Sequence, residues 1–239
     1  EKAQKMVLEL LVTDQPCQED AHDPSSTLWH FANNAKLSNS RFPSHSAPKP
    51  DSSHPAIAVN MDACIQCGLC VRACREVQVN DVIGLAGRGP QAHIVFDLGD
   101  DMGASTCVGC GECVQACPTG ALMPKASLDE NGVYANTPDR KVDSLCPYCG
   151  VGCQLTFNIQ DDKILSVDGR PGPANRGRLC VKGRYGFDYV HNPERLTLPL
   201  IRKDNCPKTR EISENPLDNF RTASWAEALD FAASGLVKV

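Results

Sequence analysis

The sequence predicts an α+β protein built from small units held together by bound groups rather than by one large core. Three observations predict this. Twelve of the 14 cysteines fall into three short ladders between Cys64 and Cys180. The first two ladders share one shape and start 43 residues apart, so a half-unit is duplicated. Around the ladders lie short alternating stretches of strand length, and one segment near residue 230 has helical spacing.

The elements follow in order. Residues 1–16 have the pattern of an amphipathic helix ending near Pro16, and residues 21–56 are rich in Ser, Pro, Asn and His, as in Ala47-Pro48-Lys49-Pro50. Residues 1–56 therefore read as an N-terminal helix and a Ser/Pro-rich linker. Residues 57–125 form the unit with the duplicated ladders. Between its ladders, Val79 to Ile83 and His93 to Asp97 flank the turn-rich run Gly84-Leu85-Ala86-Gly87-Arg88-Gly89-Pro90, so a hairpin is expected. Residues 126–141, with Asn131-Gly132 and Thr137-Pro138, read as a second linker. Residues 142–239 form the last unit. Gln154 to Gln160 and Lys163 to Asp168 alternate as two strands around a tight Asp161-Asp162 turn. Gly169 to Gly177 is a Gly/Pro loop delivering Cys180. Ser224-Trp225-Ala226-Glu227 is a capping-box pattern ahead of a helical segment with Leu229 and Phe231.

The ladders carry the chemistry. They are Cys64-x2-Cys67-x2-Cys70-x3-Cys74, Cys107-x2-Cys110-x2-Cys113-x3-Cys117-Pro118, and Cys146-x2-Cys149-x3-Cys153 with Cys180 after a 26-residue gap. Three thiolates within seven or eight residues plus one more is what a cubane iron–sulfur cluster needs. Structural zinc prefers two separated pairs of ligands, so these ladders would leave thiols over. In two-cluster ferredoxins of the bacterial type, the fourth Cys of each ladder ligates the other cluster. Applied here, Cys64, Cys67, Cys70 and Cys117 hold one cluster, while Cys107, Cys110, Cys113 and Cys74 hold the other. The first ladder ends Cys74-Arg75 where the pattern has Cys-Pro; proline acts on chain direction, not on coordination. Cys17 and Cys206 remain as free thiols. Cys17, His22 and His30 are too few for a cluster with one His and three Cys ligands, and His45, His54, His93 and His191 have no ligand spacing.

Composition narrows the function classes. The formal net charge is −5, which gives no general affinity for nucleic acid. The apolar stretch in EKAQKMVLELLV is broken by Glu9 and is too short for a signal core or a membrane span. A secreted disulfide scaffold would space its cysteines more evenly. The expected compartment is therefore reducing, cytoplasmic or matrix-like. Arg170, Arg176, Arg178, Lys182 and Arg184 surround Cys180. They read either as a solvated loop or as compensation for a cluster, each oxidised cubane with four thiolates carrying about −2.

The third ladder goes further. Leu145-Cys146-Pro147-Tyr148-Cys149-Gly150-Val151-Gly152-Cys153 resembles the start of molybdenum or tungsten enzymes that carry bis-molybdopterin guanine dinucleotide, in particular the formate dehydrogenases. Gly172-Pro173-Ala174-Asn175, Arg178-Leu179-Cys180-Val181-Lys182-Gly183-Arg184, Tyr185-Gly186-Phe187-Asp188-Tyr189 and the Trp225 helix continue the likeness. With tandem ladders upstream, the chain resembles the alpha subunit of soluble NAD-dependent formate dehydrogenases over roughly residues 57–239.

That resemblance implies a two-cluster ferredoxin-like domain followed by the small 4Fe-4S N-terminal domain of molybdopterin oxidoreductases. It implies three 4Fe-4S clusters, with the third on Cys146, Cys149, Cys153 and Cys180. Lys182 would lie between that cluster and the proximal pterin, as a point cation offsetting negative charge on both. The Mo or W centre, its Cys or selenocysteine ligand and the rest of the catalytic subunit would lie beyond Val239. Flavin/NAD-binding and 2Fe-2S subunits would be the partners, and formate oxidation to CO2 the reaction. The alternative is a non-catalytic iron–sulfur relay subunit of a larger respiratory or hydrogenase-like complex.

Overall fold

A computed structural model describes residues 2–44, 48–130, 132–135, 137–206, 208 and 215–238. His45, Ala47 and Asn131, placed above in linkers, lie outside the described residues. The chain divides into two compact units, Glu1–Asp188 and Tyr189–Val239.

The first unit contains three small apolar clusters. The N-terminal one joins α1 (Lys2–Leu11) and α2 (Thr27–Asn34). The helix α2 falls inside the expected Ser/Pro-rich linker and corrects it. Its physical reason is local: Ser26 caps the helix by accepting from Trp29 N, and Leu28, Trp29 and Ala32 bury one face beside Val12 and Leu37. The backbone N–H of Leu28 donates to Pro118 O at 3.0 Å, which ties this segment to the end of the second ladder.

The duplicated region closes on itself. β1 (Ile57–Val59), before the first ladder, pairs antiparallel with β4 (Leu122–Pro124), after the second. Short helices follow the turns of both ladders, α3 (Leu69–Arg72) and α4 (Glu112–Ala116). Each starts from a glycine in the left-handed region, Gly68 at φ 72° and Gly111 at φ 73°. The duplication seen in sequence is thus repeated in backbone conformation. β2 (Ile83–Ala86) and β3 (His93–Phe96) form the expected hairpin, but β2 begins at Ile83 instead of ending there. Asp97 N bonds Val82 O and extends the pair by one bond. The core joins Ile57, Val59, Val82, Ile83, Ile94, Phe96, Met102 and Leu122 to Cys70, Cys74 and Cys113. These ladder thiols are therefore core residues, and what they bind is part of the core.

The third cluster is built on a sheet of β5 (Arg140–Leu145), β6 (Gln154–Gln160) and β7 (Lys163–Gly169) in the order β5-β6-β7. The two expected strands are present, and Asp161 and Asp162 turn at φ 49° and 60°. β5 starts inside the expected second linker. Its side chains are almost all exposed, so no alternation betrays it. Leu155, Val167 and Leu179 are buried under this sheet. The helix α5 (Val181–Tyr185) follows at once from Cys180.

In the second unit, β8 (Leu200–Arg202) pairs with β9 (Phe220–Thr222), and Arg202 stacks over the Phe220 ring at 4.6 Å. Ser224 caps α6 (Trp225–Val237) by accepting from Glu227 N. Only half of the capping box forms, because the Glu227 carboxylate pairs with Arg221 at 2.6 Å.

Candidate cluster-binding site

The two tandem ladder loops fold by one device. A Cys Sγ near the start of the loop accepts from the backbone N–H two residues on, Gln66 N to Cys64 at 3.4 Å and Gly109 N to Cys107 at 3.4 Å. A residue in the left-handed region then reverses the chain toward the later cysteines. Val82 N donates to Cys74 Sγ at 3.3 Å, and Asn80 lies against Cys110 Sγ. Such N–H···S contacts give Cys64, Cys74, Cys107 and Cys110 a donor each.

The thiols gather in three sets. Cys64, Cys67, Cys70 and Cys117 line one cavity with Ile94 and Leu122. Cys107, Cys110, Cys113 and Cys74 act on one another electrostatically, and so do Cys146, Cys149, Cys153 and Cys180. The structure therefore brings the fourth residue of each tandem ladder to the other ladder. Burial pushes the Cys70 thiol up to about 12, with neighbouring thiols adding to the effect. Burial pushes Cys64, Cys107 and Cys110 up and Cys113 well up. Left to themselves these groups stay neutral in an apolar core, so only a cation that displaces the proton makes them thiolates. Four thiols around one cavity fit a cubane, whose four iron atoms each take one cysteine sulfur. Among the described residues no group of three or more His, Cys, Asp or Glu is arranged to hold a single metal ion.

The third set is more open. Cys146 and Cys153 pack against Leu155 and Leu179, while Cys149 and Cys180 are exposed. The Cys146 N–H donates to Cys153 O at 2.8 Å and closes the loop. A Cβ on Gly183 would stand 3.5 Å from Cys146 Sγ, so α5 runs close to this sulfur. Tyr148 Oη donates to Gly186 O and ties the loop to the end of α5. Lys182 is exposed, as are Arg176 and Arg178.

The second and third sets meet at a junction that sequence reading missed. Arg184 is buried, and its guanidinium donates to Glu112 Oε1 at 2.8 Å, Gln115 Oε1 at 2.8 Å and Cys110 O at 2.8 Å. Glu112 also accepts from Leu179 N, next to Cys180, at 3.2 Å. Gln115 Nε2 reaches Gly177 O at 3.2 Å. Of the five cations around Cys180, Arg184 is thus a structural partner of the second ladder. Glu112 was the available signal, a carboxylate inside a ladder whose neighbours are core cysteines.

The remaining candidates lie elsewhere. Cys17 Sγ donates to Asp20 Oδ2 at 2.8 Å, and Cys206 touches Asn205. His22 bridges Asp62 and Gly132 O. His54 is buried, burial pushes its imidazole down, and Nδ1 accepts from Ala56 N and Ile57 N.

Residues 63–121 match the 4Fe-4S dicluster domain, and residues 139–192 match the molybdopterin oxidoreductase Fe4S4 domain. The chain thus carries a 4Fe-4S dicluster domain followed by a molybdopterin oxidoreductase Fe4S4 domain. Among its relatives is a Bacillus subtilis protein provisionally named formate dehydrogenase YrhE, 31% identical over 91% of this chain and 25% of the relative. A subunit of an NADH-quinone oxidoreductase of Rhizobium meliloti is 35% identical over 74% of this chain and 19% of that protein. The F420-dependent formate dehydrogenase 2 subunit alpha of Methanococcus maripaludis is 38% identical over 42% of this chain and 13% of that protein. The chain thus spans a quarter or less of the length of these relatives. No helix among the described residues is long and apolar enough to cross a membrane.

Proposed function

We propose that the chain is the iron–sulfur electron-transfer portion of a formate dehydrogenase, carrying electrons from formate oxidation toward NAD through three 4Fe-4S clusters. The observation that carries this reading is the continuity of the thiol sets: the Cys146 set is joined to the Cys107 set by Arg184, and the Cys107 set to the Cys64 set by the crossed Cys74 and Cys117. The clusters, when bound, supply one-electron carriers. Cys64, Cys67, Cys70 and Cys117 hold the first, Cys107, Cys110, Cys113 and Cys74 the second, and Cys146, Cys149, Cys153 and Cys180 the third. Cys70, Cys74 and Cys113 are buried in the core, and backbone donors to Cys64, Cys74 and Cys107 stabilise extra negative charge on sulfur. Lys182, exposed two residues after Cys180, would offer a cation with three donors to a bis-molybdopterin guanine dinucleotide of Mo or W. The rest of the catalytic subunit, the flavin/NAD-binding and 2Fe-2S subunits, and a cytoplasmic setting complete the reading. Support comes from relatives that carry the name formate dehydrogenase.

Formate-driven dye reduction by the intact complex is the test. Turnover with nitrate or hydrogen but not with formate ends the formate assignment. A second reading, a relay subunit without molybdopterin chemistry, is favoured by the likeness to the NADH-quinone oxidoreductase relative. Iron at ~12 per chain, the count for three cubanes, with neither Mo nor W in the complex would select it.

A further inference from the structure

The phenol of Tyr185 is a buried hydroxyl with no hydrogen-bond partner in the protein. Tyr185 ends α5, the helix that begins at Cys180, yet its ring packs on the core shared by Cys70, Cys74 and Cys113. Its oxygen lies at the turn of the second ladder: a Cβ on Gly111, between Cys110 and Cys113, would stand 2.6 Å from it. The thiols of Cys113, Cys110 and Cys107 all act on this phenol electrostatically. A residue carried by one cluster loop therefore places an unsatisfied donor beside the ligands of the next.

We propose that Tyr185 Oη donates its hydrogen to a sulfur of the cluster held by Cys107, Cys110, Cys113 and Cys74, and so raises the reduction potential of that cluster alone. Buried polar hydrogens are satisfied in folded proteins, and here protein atoms leave this one open while Cys107, Cys110 and Cys113 lie beside it. A donor to cluster sulfur stabilises the reduced form, which carries the extra negative charge, and so raises the potential. Burial pushes the phenol pKa up, so the hydroxyl keeps its hydrogen at any working pH. The neighbouring Arg184 is consumed by Glu112, Gln115 and Cys110 O, and it holds the helix end in place. The inference rests on the cluster assignment above but not on formate as substrate.

Tyr185→Phe in the cluster-loaded holoenzyme removes one oxygen and keeps the ring. EPR-monitored redox titration is expected to show one cluster shifted to lower potential and the other two unchanged. An unshifted titration at full iron content overturns the proposal. Should the variant lose its cluster, the wild-type protein decides: after exchange into deuterated water, electron–nuclear double resonance should detect an exchangeable hydrogen coupled to that cluster. No coupled hydrogen beyond those of the backbone amides overturns it. A holoenzyme inert to formate that still shows the shift sinks the substrate reading and leaves this one standing.

Discussion

Arg184 and Glu112 form an ion pair of 2.8 Å between side chains that are 3% and 10% exposed, across the junction of the second and third thiol sets. A buried pair holds its place poorly when one member is removed, because the survivor is left charged in an apolar setting.

Arg184→Leu should therefore destabilise the first unit by about 3–5 kcal/mol. Glu112→Gln keeps an acceptor for the guanidinium and should cost less, about 1–2 kcal/mol. The double variant Arg184→Leu/Glu112→Leu should recover part of the single Arg184→Leu loss. Denaturant midpoints read from the cluster absorbance test the order. A double variant no more stable than Arg184→Leu would contradict it.

Gly111 and Gly68 make a matched comparison. Their φ values are 73° and 72°, but a Cβ on Gly111 would collide with Arg184 and Tyr185, whereas one on Gly68 meets nothing within 4 Å. Gly68→Ala should cost only the left-handed conformation, about 1–2 kcal/mol. Gly111→Ala adds displacement of the junction and should lose iron from the second set. Equal iron content and equal stability in the two variants would show that the junction tolerates the methyl group.

What was legible in the sequence was local. Ligand spacing, the Asp161-Asp162 turn and the Ser224 cap depend on residues a few positions apart. α2 was hidden because Ser, Pro and Asn surround the three residues that bury it, Leu28, Trp29 and Ala32. β5 was hidden because an exposed edge strand needs no apolar face. The Arg184–Glu112 junction spans 72 residues; Glu112 among core cysteines hints at a buried partner, but nothing local to it names Arg184. Arg184 looked like one loop cation among five, and only packing separates it from the exposed Arg176, Arg178 and Lys182.

His22 gives a pH signature. Its hydrogen bond to Asp62, opposed by burial and aided by Gly132 O, raises its pKa above the ordinary 6.5. A raised folded pKa favours the protonated folded state, so the stabilisation is complete below the unfolded pKa and is lost as pH rises through the folded value. Thermal scans between about pH 5 and pH 9 should show a Tm difference between wild type and His22→Asn that is largest at the acid end. A contribution near 1 kcal/mol corresponds to about 2–4 °C for a chain of this size. A difference that grows toward alkaline pH would reverse the assignment of charge.

The crossed thiols can be told apart by single substitutions. Cys117 ends the second ladder in sequence but acts on Cys64 and Cys70, and Cys74 ends the first but acts on Cys107 and Cys113. Cys117→Ser should therefore alter the EPR signal that Cys67→Ser alters, and Cys74→Ser the signal that Cys110→Ser alters. Serine keeps the volume but binds iron as a harder ligand, so the affected cluster should move to lower potential or be lost while its neighbour persists. Uncrossed ligation predicts the opposite pairing, with Cys74 grouped with Cys67 and Cys117 with Cys110. The crossed arrangement also predicts mutual support: each half-repeat supplies a ligand to the other, so losing either cluster should loosen the β1–β4 closure. Hydrogen exchange at Asn60 N, bonded to Ala121 O at 2.8 Å beside that closure, should quicken in both variants.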